Sequence, residues 1–134
     1  MFLQPKRSKF KKFRKGKISK LEFKSNKLIF GEIGLKAAES GSISARQIEA
    51  ARQAMTRKIK RKGKLWVRIF PSIPITAKPT ESRMGKGKGS VDFWAAKIGT
   101  GKTLFELCGV TKSVAISAFK TGGAKLPIKT LIFT

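Results

Sequence analysis

"SISARQIEAARQAMTRKIKRKG", residues 42–63, is the stretch from which the architecture is read. Ser44, followed three positions later by Gln47, makes a capping box, in which each side chain satisfies the other residue's free backbone N–H. Ala45, Ile48, Ala51, Met55 and Ile59 then recur at three- and four-residue spacing and form one apolar stripe. Lys58, Lys60, Arg61 and Lys62 load the last turn, where the helix dipole favours cations. Gly63 supplies a left-handed stop. The face opposite the stripe carries Arg46, Gln53, Arg57 and Lys60, and Glu49 is the one acid along the helix. So one-sided a face predicts contact with phosphate. Arg52 lies beside the stripe and calls for a fixed partner or an edge to snorkel to.

Strand signals surround this helix. "KLIFGEIGL" (27–35) alternates weakly and ends in glycines, which predicts a short strand. "KLWVRIFP" (64–71) alternates cleanly: Leu65, Val67 and Ile69 share one face, Trp66, Arg68 and Phe70 the other. Trp66 is assigned to the core, and Pro71 ends the strand. "VDFWAAKI" (91–98) and "TLFELCG" (103–109) flank a hairpin-length turn at residues 99–102. A second, weaker helix runs from Thr111 to Thr121, closed by Gly122 and Gly123. Pro127 breaks it, and "IKTLIF" (128–133) is the final strand. Two helices among roughly five strands make a single α+β domain spanning residues 1–134.

Two segments fall outside that pattern. Residues 1–27 form a basic arm in which Phe2, Phe10, Phe13 and Phe23 are scattered among lysines and arginines. Such an arm is expected to thread into RNA and become ordered there. Residues 72–90 form a long connection, with Gly85, Gly87 and Gly89 alternating with Lys86 and Lys88. Glycines let backbone N–H groups approach a phosphate while the lysines supply charge.

Charge decides the class of partner. The 134 residues include 31 Lys and Arg against 7 Asp and Glu, a net charge of +24. A chain this basic repels itself until counter-charge is supplied, and a nucleic-acid backbone supplies it with release of counterions. An anionic membrane is the competing surface, but a membrane binder confines its charge to one amphipathic helix. No apolar run reaches the ~18 residues of a membrane span, and the N-terminus lacks the apolar stretch of a secretory signal. The abundance of Lys, Phe and Ile suggests AT-rich coding and an organelle genome.

Enzyme chemistry finds few footholds. Cys108 is the single cysteine and histidine is absent, which excludes an internal disulfide, the familiar zinc patterns and the commonest general base. Cys108 is expected to be a small core residue, and Glu106 an ion-pair partner for a lysine. "GTGKT" (99–103) ends like a phosphate-binding loop. That loop requires a glycine at position 96, and Ala96 stands there; it also requires a helix after the threonine, and "LFELCG" reads as strand. A basic hairpin tip is the expected alternative. No catalytic residue, cofactor or metal is assigned.

Four stretches go further: "LQPKRSKFKK" (3–12), "SARQIEAARQAMTR" (44–57), "GKLWVRIFPSIPITAKPTESRMGKGKGSVDFW" (63–94) and "GAKLPIKTLIFT" (123–134). Together they resemble the universal large-subunit ribosomal protein sixteen family, in its bacterial and organellar form. The resemblance implies an α/β-hammerhead-like single domain, two helices packed on short, mostly antiparallel strands, with a basic arm and a long Gly/Lys loop. It implies a structural role in the large subunit: binding 23S-type rRNA and ordering the transfer-RNA acceptor-site region near the peptidyl-transferase centre. Carried onto this chain, the RNA-binding residues are Lys6, Arg7, Lys9, Lys11 and Lys12 in the arm. On the helix they are Arg46, Arg57, Lys60 and Arg61. In the loop they are Arg83, Met84, Gly85, Lys86, Gly87, Lys88 and Gly89. The partners implied are rRNA, nearby acceptor-site transfer RNA and neighbouring large-subunit proteins, with no membrane and no homo-oligomer. The composition places that ribosome in a mitochondrion, with a plastid or the bacterial cytoplasm as alternatives. The reading outside this family is a free-standing cationic nucleic-acid chaperone.

Overall fold

The capping box forms as the sequence requires. In the computed structural model, which describes residues 3–18 and 21–134, the Gln47 N–H donates to Ser44 Oγ at 3.3 Å. The Ser44 N–H donates to Gln47 Oε1 at 2.9 Å. Helix α1 (Ala45–Lys58) follows, preceded by β1 (Ile33–Ala37) and β2 (Gly41–Ser44). After it come β3 (Lys64–Val67), β4 (Ile73–Ala77), β5 (Ser90–Ile98), β6 (Thr103–Cys108), α2 (Lys112–Gly123) and β7 (Thr130–Phe133). Phe2, named above with the arm aromatics, lies outside the described residues.

All strand pairs among the described residues are antiparallel and form two sheets, ordered β3-β6-β1-β7 and β2-β5-β4. β5 and β6 are consecutive but belong to different sheets, so the turn at 99–102 hands the chain from one to the other. Ala37 fastens that turn from both sides: its N–H donates to the Lys102 carbonyl, and its own carbonyl accepts from the Gly101 N–H. Ile48, Ala51 and Met55 of α1 are buried with Ala115, Ala118 and Phe119 of α2. The apolar stripe read from the sequence therefore meets a second helix as well as the sheets.

Several boundaries differ from expectation, each for a packing reason. Residues 73–77 of the long connection are strand β4, paired with β5 from Ile73–Ala95 to Ala77–Ser90, so the free loop is only 78–89. Pro74 fits within β4 because this strand lies at a sheet edge, where a missing N–H is tolerated. Gly122 and Gly123 do not close α2 but belong to it. A Cβ on Gly122 would come within 2.2 Å of Met55 Cε, so glycine lets the helices approach. Helix α1 ends at Lys58, before Gly63. The reversal uses Lys60 (φ 53°) and Arg61 (φ 62°), two non-glycine residues in the left-handed region.

The strand expected over 27–35 starts only at Ile33, because the residues before it have another task. Residues 21–32 run as a strap along β6. Glu22 N–H donates to Thr100 O, Ser25 O accepts from Thr103 N–H, and Glu32 N–H donates to Leu107 O. The C-terminal end of the expected arm is thus part of the folded domain. Midway, the fully buried Glu106 carboxylate accepts from the N–H groups of Ile29 (3.2 Å), Phe30 (2.7 Å) and Gly31 (2.8 Å), and from the Arg68 guanidinium. Gly31 can approach this closely because it has no Cβ; one added there would meet Leu107 N at 2.8 Å. The expected lysine partner of Glu106 is therefore an arginine from β3's neighbour segment, supplemented by backbone. The same strap corrects Trp66. It is not core but half-buried on the outer face of β3, where it stacks on Phe30 with ring centroids 6.0 Å apart. The Arg68 guanidinium lies 5.0 Å from the Phe30 ring centroid, and Lys64 Nζ 5.2 Å from the Trp66 ring.

Burial pushes the Glu106 carboxyl up, but the three backbone donors and Arg68 outweigh it and hold the group below its ordinary range. Its stabilising contribution is therefore full above the unfolded value of about 4.3 and is lost as pH falls through the lowered folded value. Glu106→Gln, which leaves several buried donors facing a neutral amide, is expected to cost about 3 kcal/mol in urea unfolding. Between about pH 5 and pH 3 the parent's urea midpoint should fall more steeply than the variant's. Lys60→Gly with Arg61→Gly should raise the urea midpoint, by about 1 kcal/mol of stability. The relieved left-handed strain exceeds the added freedom of the unfolded chain.

Candidate nucleic-acid interface

Glycine chemistry shapes the loop at 78–89. Gly85 (φ 89°) and Gly87 (φ 80°) adopt the left-handed region with open space around them, which projects the intervening Lys86 into solvent. Arg83, Met84, Lys86 and Lys88 are exposed, Met84 at 95%. Gly89 is half-buried where the loop closes onto the Ala77 carbonyl.

The arm lies against this loop. Lys12 Nζ donates to the Lys88 carbonyl at 2.8 Å, and Lys88 Nζ donates in return to the Phe13 carbonyl. Two residues further along the arm, Lys97 of β5 donates to the Lys15 carbonyl. Leu3 is buried in the core and anchors the other end of the arm. Between these fixings Lys6, Arg7, Lys9, Lys11 and Lys12 are exposed, as are Phe10 and Phe13, which meet edge-to-face at 6.1 Å. Two basic segments more than seventy residues apart in sequence thus form one surface.

Arg46, Arg57, Lys60 and Arg61 are all exposed on α1. Arg46 and Arg57 share a face but stand about 16 Å apart along the axis. The N-terminal end, with Arg46, borders Asp92 and Phe93 of β5. A neighbouring hollow is lined by Lys15 of the arm with Ser44, Gln47 and Phe93, so this end of the helix adjoins the arm. The C-terminal end has its own concavity of about 340 Å³, lined by Arg52, Gln53, Thr56, Arg57 and Arg61. The predicted residues thus gather into two clusters: arm, loop and Arg46 in one, Arg57, Lys60 and Arg61 in the other.

Few carboxylates relieve this charge. Arg52 has the fixed partner its position called for, pairing with Glu49 at 2.6 Å. That hydrogen bond outweighs burial and, with Gln53, lowers Glu49 to about 2. Arg68 is held by Glu106, and Lys102 lies 3.9 Å from Glu22. These are the ion pairs among the described residues, so every predicted RNA-binding cation lacks an acidic partner within 4 Å. The "GTGKT" stretch is not the expected hairpin tip, because β5 and β6 do not pair: it is the turn that crosses between the two sheets. Thr103 enters β6, not a helix, with its side chain fully buried. Cys108 is half-buried at the end of β6.

Sequence reasoning missed the bracing lysine Lys97, and Lys58 and Lys125, which line a further groove between the two helices. Lys58 had been read only as a complement to the helix dipole. Lys125 carried no local signal, since only the packing of α2 on α1 brings it near.

The pattern of the family described as Ribosomal protein L16p/L10e matches residues 5–133. A protein of Thioalkalivibrio sulfidiphilus called large ribosomal subunit protein uL16 is 54% identical over 132 residues, 98% of this chain and 96% of its own length. Proteins of the same name from Bartonella henselae and Chelativorans are 57% and 56% identical over 128 residues, 96% of this chain and 93% of theirs. These relatives are bacterial; the mitochondrial setting expected from composition gains no support from them. With pattern and identity running along nearly the whole length, the chain belongs to the ribosomal protein L16p/L10e family and is a structural constituent of the large ribosomal subunit.

Proposed function

We propose that this protein binds 23S-type rRNA through its arm, its loop and the exposed face of α1, and orders the transfer-RNA acceptor-site region near the peptidyl-transferase centre. The observation that carries the reading is the unrelieved charge of the two clusters within a chain of net charge +24. Most of this charge neutralises phosphate and sets the protein's register without reading base sequence. The core of two sheets and two helices serves as a rigid wedge. The arm and loop follow the RNA surface, and their mutual lysine-to-carbonyl bonds reduce the freedom each loses on docking. Transfer RNA and neighbouring large-subunit proteins are the further partners, and the bacterial relatives favour the bacterial cytoplasm as the setting.

Arg46→Glu combined with Arg57→Glu is expected to block incorporation into the large subunit, read as loss of the protein from the large-subunit peak on sucrose gradients. Normal co-sedimentation would remove the helix face from the docking surface. Arg83→Ala with Lys86→Ala is expected to leave incorporation intact and slow acceptor-site binding of aminoacyl transfer RNA, measured by stopped flow. An unchanged rate would reduce the loop to a linker. A wild-type protein that stays off the ribosome at moderate salt would instead fit a free-standing chaperone.

A further inference from the structure

The C-terminal ends of α1 and α2 converge. Met55 of α1 packs into the space left by Gly122, and this contact fixes the two helix ends side by side. Between them lies a groove of about 540 Å³ lined by Ala54, Arg57, Lys58, Lys60, Thr121 and Lys125. Two helix dipoles end here, each presenting about half a negative charge. Four cations surround the groove, so neutralising the dipoles leaves about three positive charges without a counter-charge in the protein. No carboxylate lines it.

Two further features mark the groove as built for a ligand. Lys60 and its neighbour Arg61 are held in the left-handed region, a strain that glycine would avoid at this turn. Lys60 lines this groove, and Arg61 lines the concavity on the other side of α1. Arg57 lines both, so the two hollows meet across one side chain. A polyanion lying in the first would pass over Arg57 into the second. The anionic repeat must be extended and flexible enough to bend over a helix end, which describes a phosphodiester chain.

We propose that the groove between the C-terminal ends of α1 and α2 is a further backbone-phosphate site for large-subunit rRNA, with Lys58, Lys60 and Lys125 as its contacts and Arg57 as the link to the concavity lined by Arg52 and Arg61. The inference rests on the rRNA-binding reading above. It adds α2 to an interface otherwise drawn only on the arm, α1 and the loop.

The test measures binding of the full chain to protein-free large-subunit rRNA across a series of KCl concentrations. Lys58→Gln with Lys125→Gln should flatten the slope of log K against log salt by roughly 1.5, since each lost phosphate contact removes about 0.7 to 0.9. Thermal melting of the variant should match that of the parent. A photo-crosslinking residue placed at Thr121 should attach to rRNA in the assembled particle. An unchanged salt slope, or crosslinks only to a neighbouring protein, would overturn the groove while leaving rRNA binding by the parent chain in place. Failure of the parent itself to bind rRNA would overturn both.

Discussion

The carboxylate of Glu106 sits in the middle of β6 with no exposure to solvent, accepting three backbone N–H groups and one guanidinium. A charge in that position is tolerable only when its oxygens are saturated with donors. Meeting this requirement draws residues 29–31 across the strand and brings in Arg68 from beyond β3. The strap then covers one face of β6. Consecutive strand residues face opposite ways, and residues 103–107 are all buried, so both faces of β6 are covered. The Phe30–Trp66 stack and the cations beside it follow from the same placement, because Phe30 is carried there by its own N–H bond to Glu106.

That economy leaves most of the basic residues for the surface. Acids are few, and Glu106 and Glu49 are each committed to an arginine that does not belong to the predicted RNA surface. The remaining cations are spread over a rigid frame and two extended segments. The segments brace each other through lysine-to-carbonyl bonds, which satisfy donors without cancelling charge. The positive potential is thus left uncancelled within the described residues.

Much of the frame was legible in the residues. The capping box, the apolar stripe of α1, the partnered Arg52 and the final strand all rest on local spacing, and local spacing determines local hydrogen bonds. The turn at 99–102 was misread as a hairpin because spacing cannot tell that β5 and β6 join different sheets. The candidate interface was legible as a set of residue types on exposed segments. Its grouping was not. Lys88 and Phe13 meet only because β5 and the arm run together, and Lys125 reaches Arg57 and Lys58 only through the packing of Met55 on Gly122. Strand β4 escaped notice because its proline and short length carry little propensity; pairing with β5 decides it. Trp66 was misplaced because alternation tells which residues share a face but not which face is inward.

By itself the sequence determined what depends on neighbours along the chain: where α1 begins, which of its faces is apolar, the class of the domain, and the sign and excess of its charge. Its likeness to relatives along nearly the whole length determined the family. Only the tertiary structure decided which strands share a sheet, what saturates Glu106, where α1 reverses, and which cations stand together. Those outcomes turn on contacts between residues tens of positions apart, whose free energies come from burial and from satisfying buried polar groups, and neither quantity exists until the chain has closed on itself.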